Sequence, residues 1–200
     1  MFCKKETKRV IEGLWNYLDT GTNVDAGCQV KNPVSSYTCD KMARQEWGSF
    51  FQDYSHALGL SSELPEAGSF LTNSDLGKPI LMTRDEQGRF RAFLNVCRHR
   101  GAILEEKERG RRRLFSCPFH GWGYSSSGGL ISVPKEEQFG EIDKSCNGLV
   151  ELPAEEKHGI LWVHPDPKGS FDLEEQLGDL AAEFDSWGFE NYIFQGNTTF

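Results

Sequence analysis

Two short boxes near the middle of the chain carry residue types that bind metal. They are Cys97-Arg98-His99-Arg100-Gly101 and Cys117-Pro118-Phe119-His120-Gly121-Trp122. The pattern is Cys-x-His, then 17 residues (100–116), then Cys-x-x-His. Two thiolates and two imidazoles suit either zinc or a [2Fe–2S] cluster in which one iron takes both cysteines and the other both histidines. The loop arrangement favours the cluster. Each box supplies one Cys and one His, so each loop can place one ligand on each iron. A zinc finger instead groups a Cys pair and then a His pair at closer His spacing. Gly101 and Gly121 allow tight turns that bring backbone N–H groups toward bridging sulfur. The predicted cofactor-binding and metal-ligating residues are therefore Cys97, His99, Cys117 and His120, and no catalytic residue is predicted. Two neutral imidazoles in place of two thiolates raise the potential well above that of an all-cysteine cluster.

The other cysteines do not form a framework. Cys3, Cys28, Cys39 and Cys146 are scattered, and six in 200 residues is too sparse for a disulfide-stapled domain. They are expected to be dispensable for metal. The remaining histidines are His56, His158 and His164. His158 and His164 flank one predicted strand at about 20 Å, too far apart for one ion. A second metal site is not expected in this chain.

Composition narrows the class. The formal net charge is −8, the wrong sign for a protein that binds nucleic acid through phosphate contacts. No apolar run approaches the roughly 18 residues of a membrane span, and residues 1–20 show no secretory signal. A cytoplasmic protein is the expectation, with neither nucleic acid nor membrane as partner. Aromatic residues make up 12%, enough to build a core.

The elements that must position the boxes read as helix, strands, helix. Val10, Ile11, Leu14, Trp15 and Leu18 recur at helical spacing, stop at Gly21, and predict a surface helix packing one stripe on the body. A second short helix is predicted from the Ser35–Thr38 caps through Met42, Trp47, Phe50 and Phe51. Short strands are predicted at 55–60, 69–72, 79–84, 90–96, 113–116, 123–125, 130–132, 148–152 and 159–164. Turns fall at Glu86-Gln87-Gly88 and Ser127-Gly128-Gly129. Helical spacing returns from Phe171 to Trp187, with Asp172 or Ser170 as cap, and 192–200 reads as the start of a strand. The predicted class is mainly β, a small sandwich or barrel-like body of short strands with flanking helices. Three segments follow: 1–53 helical, 54–166 the β domain with both boxes, and 167–200 a helix and the start of something further.

The two boxes resemble the Rieske signature. With the lead-in Phe93-Leu94-Asn95-Val96 and the upstream Ser62-Glu63-Leu64-Pro65-Glu66-Ala67-Gly68, the chain is similar, from about residue 33 to 165, to α subunits of Rieske non-haem iron oxygenases, the aromatic-ring-hydroxylating dioxygenases. The resemblance implies a Rieske-type domain of short antiparallel strands holding one [2Fe–2S] cluster. It implies an oxidoreductase, a mono- or dioxygenase large subunit, that takes electrons from a ferredoxin or flavin reductase. Those electrons pass to a mononuclear Fe(II), held by two histidines and a carboxylate, that activates O2. That iron belongs to a catalytic domain beginning, in the family, just after a stretch resembling 192–200. The chain thus corresponds to the amino-terminal portion of an α subunit, ended before its active site and not competent for turnover alone. The full-length form is expected as a homotrimer or as a hetero-oligomer with a β subunit.

The alternative is a stand-alone Rieske-type ferredoxin, which the roughly 50 residues before the β body and the helix after it argue against. Respiratory Rieske proteins carry one further cysteine per loop, where this chain has Ala102 and Phe119. The family's histidine ring edges face the electron acceptor, a role carried to His99 and His120, with Arg98 and Arg100 beside them. Arg109, Arg111, Arg112 and Arg113 read as a solvated tip between the loops. Their other reading is a docking patch for an acidic redox partner, which Glu105, Glu106 and Glu108 weaken.

Overall fold

The computed structural model describes residues 4–25 and 27–196. Three helices open the chain: α1 (Lys4–Thr20), α2 (Ser35–Thr38) and α3 (Asp40–Glu46), the last running into a π-helical turn at Trp47–Gln52. Eleven strands follow among the described residues: β1 (His56–Leu60), β2 (Ser69–Asn73), β3 (Ile80–Arg84), β4 (Phe90–Leu94), β5 (Arg109–Arg111), β6 (Phe115–Ser116), β7 (Gly123–Tyr124), β8 (Leu130–Ser132), β9 (Glu151–Leu152), β10 (Ala154–Lys157) and β11 (Ile160–Val163). Two helices, α4 (Leu173–Leu177) and α5 (Leu180–Trp187), come last. The strands form three antiparallel sheets, ordered β5-β2-β3-β4-β9, β1-β11-β10 and β6-β7-β8.

Alternation along single strands stacks these sheets into layers. In β3 every residue is buried, because both faces of the central sheet are covered. Leu81 joins Phe70 and Phe93 in a core shared with Cys97, Cys117, Trp122 and Tyr124. Ile80 and Met82 face the other way, into a core with Leu71, Ala92, Leu161 and Val163. The same logic operates in β11. Leu161 and Val163 point to the second core, while Ile160 and Trp162 meet Leu173 in a third, closed by Phe171, Leu177 and Phe184. The order through the molecule is the β6-β7-β8 sheet, the central sheet, β1-β11-β10, and the C-terminal helices.

The β3–β4 hairpin is closed by a buried acid. Asp85 accepts from the backbone N–H of Gln87 (2.9 Å) and Arg89 (2.8 Å), and its second oxygen accepts from the guanidinium groups of Arg89 and Arg91. Burial opposes the charge, but the Arg89 and Gln87 N–H groups and the Arg91 side chain outweigh it and hold the carboxyl below its ordinary range. A depressed carboxyl contributes stability above about pH 4 and loses it as pH falls through its folded value. Asp85→Asn should therefore cost about 2 kcal/mol at pH 7. Urea denaturation at both ends of the range should show that difference shrinking toward pH 3. A difference independent of pH would contradict the assignment.

Several expectations are corrected. Helix α1 forms and ends at Gly21 (φ +59°), but its stripe of Val10, Ile11, Leu14, Trp15 and Leu18 is exposed rather than packed on the body. The second predicted helix breaks at Cys39, whose extended backbone (ψ 110°) separates α2 from α3. The last helix breaks at Gly178 (φ +52°), and Asp172 caps its first half by accepting from the Glu175 N–H. Strands β5 and β10 were not expected, since Arg-Gly-Arg and Ala-Glu-Glu-Lys lack apolar alternation. They form because β2 and β11 present open ladders to them. Residues 192–196 form no strand, and 197–200, like Cys3, lie outside the described residues.

Candidate metal centre

Both boxes fold into the same turn. Cys97 N–H donates to the Ala102 carbonyl and Cys117 N–H to that of Trp122, each at 2.8 Å. Gly101 N–H then donates to Cys97 and Gly121 N–H to Cys117, each at 2.9 Å. Each closing glycine sits in the left-handed region (φ +71° and +72°), which an L side chain adopts only with strain. A β-carbon at Gly121 would also press on Pro134 at 3.0 Å.

These turns bring the four predicted residues together. Cys97 and Cys117 are free thiols, 3% and 4% exposed, and their sulfurs face each other in the first core. His99 and His120 lie on the outer side, half-buried, with ring centroids 4.6 Å apart. Trp122 stacks on His99 at 5.1 Å and nearly parallel, Phe139 meets the His99 ring edge-on, and exposed Phe119 lies against His120. The inner pair is sulfur and the outer pair nitrogen.

The electrostatics treat the two residue types differently: without a cation beside it the Cys97 thiol keeps its proton, while the His99 imidazole is neutral. Burial pushes the Cys97 thiol up, outweighing the Tyr124 hydroxyl and the His99 N–H, and nearby Cys117 pushes it further. Desolvation, with the charges of His120 and Arg100, lowers His99 and favours its neutral imidazole, the form that binds metal. Tyr124 is driven upward by burial and by Cys97. Its oxygen accepts from the Arg98 N–H at 3.0 Å and lies 3.3 Å from the Cys97 sulfur. The hydroxyl has one proton, so against a thiolate it must be the donor.

The structure also tests whether a cluster fits. His120 Nδ1 and Trp122 Nε1 are buried with no hydrogen-bond partner, and such groups are costly unless a partner outside the chain takes them. Among the described residues, no three His, Cys, Asp or Glu side chains converge on a point that would hold a single ion. A two-and-two division over two metals accounts for the open His120 nitrogen and for the lack of a three-ligand point; the Trp122 N–H is a donor only and is not answered by a metal. Two soft thiolates with two imidazoles are the donor set of a mixed-ligand [2Fe–2S] cluster.

The other sequence candidates lie elsewhere. His56 opens β1 and stacks on Phe51. His158 meets Asp185 at 2.5 Å, and His164 accepts from the Asp166 N–H at 3.1 Å. Cys28, Cys39 and Cys146 are exposed and free. Three arginines of the run are ion-paired on a half-exposed strand edge. The first part of the run is strand β5, and Arg109, Arg111 and Arg112 pair with Glu63, Glu66 and Glu105 at 2.8–2.9 Å. Sequence reasoning missed Tyr124, because nothing in its spacing marks a residue that reaches across to the opposite loop.

Residues 55–153 match the family model described as the Rieske [2Fe–2S] domain. These residues form a Rieske-type domain. It is 34% identical over 150 residues to the biphenyl 2,3-dioxygenase subunit alpha of Rhodococcus jostii (strain RHA1), covering 74% of this chain and 32% of that protein. Naphthalene 1,2-dioxygenase with indole bound superposes with a TM-score of 0.66 at 35% identity, over 72% of this chain and 33% of that one. The quaternary ammonium Rieske monooxygenase CntA in complex with L-carnitine superposes with a TM-score of 0.70 at 26% identity, over 77% and 44%. The chain spans about a third of the length of the dioxygenase subunit it matches, and the match covers the amino-terminal portion of such large subunits. No helix among its described residues is long and apolar enough to cross a membrane.

Proposed function

We propose that Cys97 and Cys117 hold one iron of a Rieske cluster, that His99 and His120 hold the other, and that the chain is the electron-relay part of a ring-hydroxylating oxygenase α subunit. In this reading 54–166 is the relay domain, 1–53 a helical segment before it, and 167–200 the passage toward a catalytic domain. The donor is a ferredoxin or flavin reductase. The acceptor is a mononuclear non-haem iron outside this chain, so turnover needs the longer subunit, as a homotrimer or paired with a β subunit. We place it in the cytoplasm, where buried free thiols stay reduced. The observation that carries the reading is the gathering of all four side chains from two matching turns, sulfurs inward and imidazoles outward.

When bound, the cluster supplies one-electron transfer at a potential above that of an all-thiolate cluster. The chain's own residues set its surroundings. Leu104, Phe115 and Leu130 close the sulfur side from water. Trp122 and Phe139 hold the plane of the His99 ring. The Tyr124 hydroxyl donates to the Cys97 sulfur and draws electron density from it. Tyr124→Phe is therefore expected to lower the reduction potential while retaining iron. A redox titration followed in the visible region measures this, and an unchanged potential would count against the hydrogen bond.

The reading as a whole is tested on purified chain reconstituted anaerobically. It predicts two irons and two acid-labile sulfides per chain, one-electron reduction by a ferredoxin and its reductase, and no hydroxylated product from an aromatic substrate and O2. Protein that stays free of iron and sulfide would overturn the cluster assignment, and product formation by this chain alone would overturn the relay role.

A further inference from the structure

The two ligand turns are alike, but what holds them is not. Beyond the second turn the flanks continue as a ladder, with Ser116 opposite Gly123 and Phe115 opposite Tyr124 in β6 and β7. Beyond the first turn the backbone makes one isolated bridge, between Val96 and Ile103, whose outer bond runs from the Leu104 N–H to the Asn95 carbonyl at 3.3 Å. The next rung is made by a side chain. Asn95 Nδ2 donates to the Glu105 carbonyl at 2.7 Å, and the Glu105 N–H donates back to Asn95 Oδ1 at 3.0 Å. One carboxamide thus makes the paired exchange that two backbone residues make in an antiparallel ladder.

Both ends of this clasp are anchored. The Asn95 N–H donates to the Pro79 carbonyl at 2.8 Å, fixing it to the central sheet, and Asn95 is 3% exposed. Glu105 is held by the Arg112 guanidinium at 2.9 Å and accepts from the Lys107 N–H at 3.1 Å. The arginine run therefore tethers the far side of the first loop. We propose that Asn95 is a positioning residue, whose carboxamide substitutes for a strand pair and sets where Cys97 and His99 stand relative to the second loop. The proposal rests on the assignment of those two residues as ligands.

The test is Asn95→Asp in the holoprotein. Aspartate keeps the shape and one acceptor but sets a second acceptor against the Glu105 carbonyl. Iron and sulfide should remain at full content after reconstitution. Chelator-driven bleaching should run about tenfold faster, as should hydrogen exchange at the amides of 98–104, with those of Cys117 and 119–122 unchanged. The EPR g-values of the reduced cluster should shift. Asn191→Asp is the control, because the Asn191 amide donates to a backbone carbonyl, that of Gly188 at 3.4 Å, on an exposed turn after the C-terminal helices. It should behave as wild type. Equal bleaching and exchange in Asn95→Asp and wild type would overturn the proposal, as would equal loosening of both loops. Should the variant not fold, the wild-type Glu105 amide decides the matter. It is expected to be as protected as that of Cys117, and fast exchange there would overturn the clasp. Failure of the ligand assignment would show separately, as a cluster that survives Cys97→Ala.

Discussion

Cys97→Ala is expected to remove the cluster altogether, taking iron and acid-labile sulfide from two each per chain to none. The thiol stands in the first core with no second sulfur on its loop to replace it. The nearest other sulfur, Cys117, is already committed to the same iron under the proposed arrangement. Loss of one thiolate leaves that iron with a single protein ligand, and no other cysteine among the described residues is buried nearby. The apolar cost of the truncation is small, about 1 kcal/mol, so the variant should fold. His99→Cys makes the complementary case. It should retain iron at a lower potential, because a thiolate adds negative charge where an imidazole added none. Metal and sulfide analysis with EPR checks both. A Cys97→Ala protein with an unchanged EPR signal would refute the ligand set.

The second large effect is expected outside the two Cys–His turns, at Gly128. The β6-β7-β8 sheet docks on the central sheet through the turn joining β7 to β8. Ser126 accepts from the Thr83 hydroxyl at 2.6 Å, and the Gly128 carbonyl accepts from the Leu149 N–H at 2.8 Å. A β-carbon on Gly128 would stand 2.8 Å from Phe93 Cζ and closer still to Cε1, and Gly128 is at φ +83°. Phe93 is fully buried and has nowhere to swing. Gly128→Ala should cost about 3 kcal/mol or more, from overpacking plus left-handed strain. Gly129→Ala meets only the Ser125 hydroxyl at 3.5 Å, an ordinary contact, and should cost under about 1 kcal/mol. Thermal and urea denaturation of the pair separates them. Equal stabilities would show that the turn is not wedged on Phe93.

The cluster's surroundings explain why its chemistry was more legible than its support. Cys97 with His99 and Cys117 with His120 lie two and three residues apart, so local turns alone bring each pair near. Tyr124 and Asn95 act across the fold. Tyr124 reaches the opposite loop, and Asn95 closes a loop on a residue ten positions away. Neither contact leaves a periodic trace. The ion pairs of the arginine run were hidden for a related reason. Four like charges in sequence read as solvated or as a patch, but Glu63 and Glu66 reach two of them from more than 40 residues upstream.

The chain's order of residues was sufficient for whatever depends on near neighbours. That includes the turns of the two Cys–His boxes, the Asp85 and Gly128 turns, the Asp172 cap, and strands such as β3 and β4 whose apolar residues declare themselves. Only the tertiary structure decided which edges were open to β5 and β10, whose charged residues become strands because a neighbour offers unpaired N–H and C=O groups. It also decided that the stripe of α1 meets no partner among the described residues, and that the Asn95 amide exchanges two hydrogen bonds with the backbone of Glu105. A ladder is completed by whatever reaches it in space, and sequence spacing carries no record of that distance.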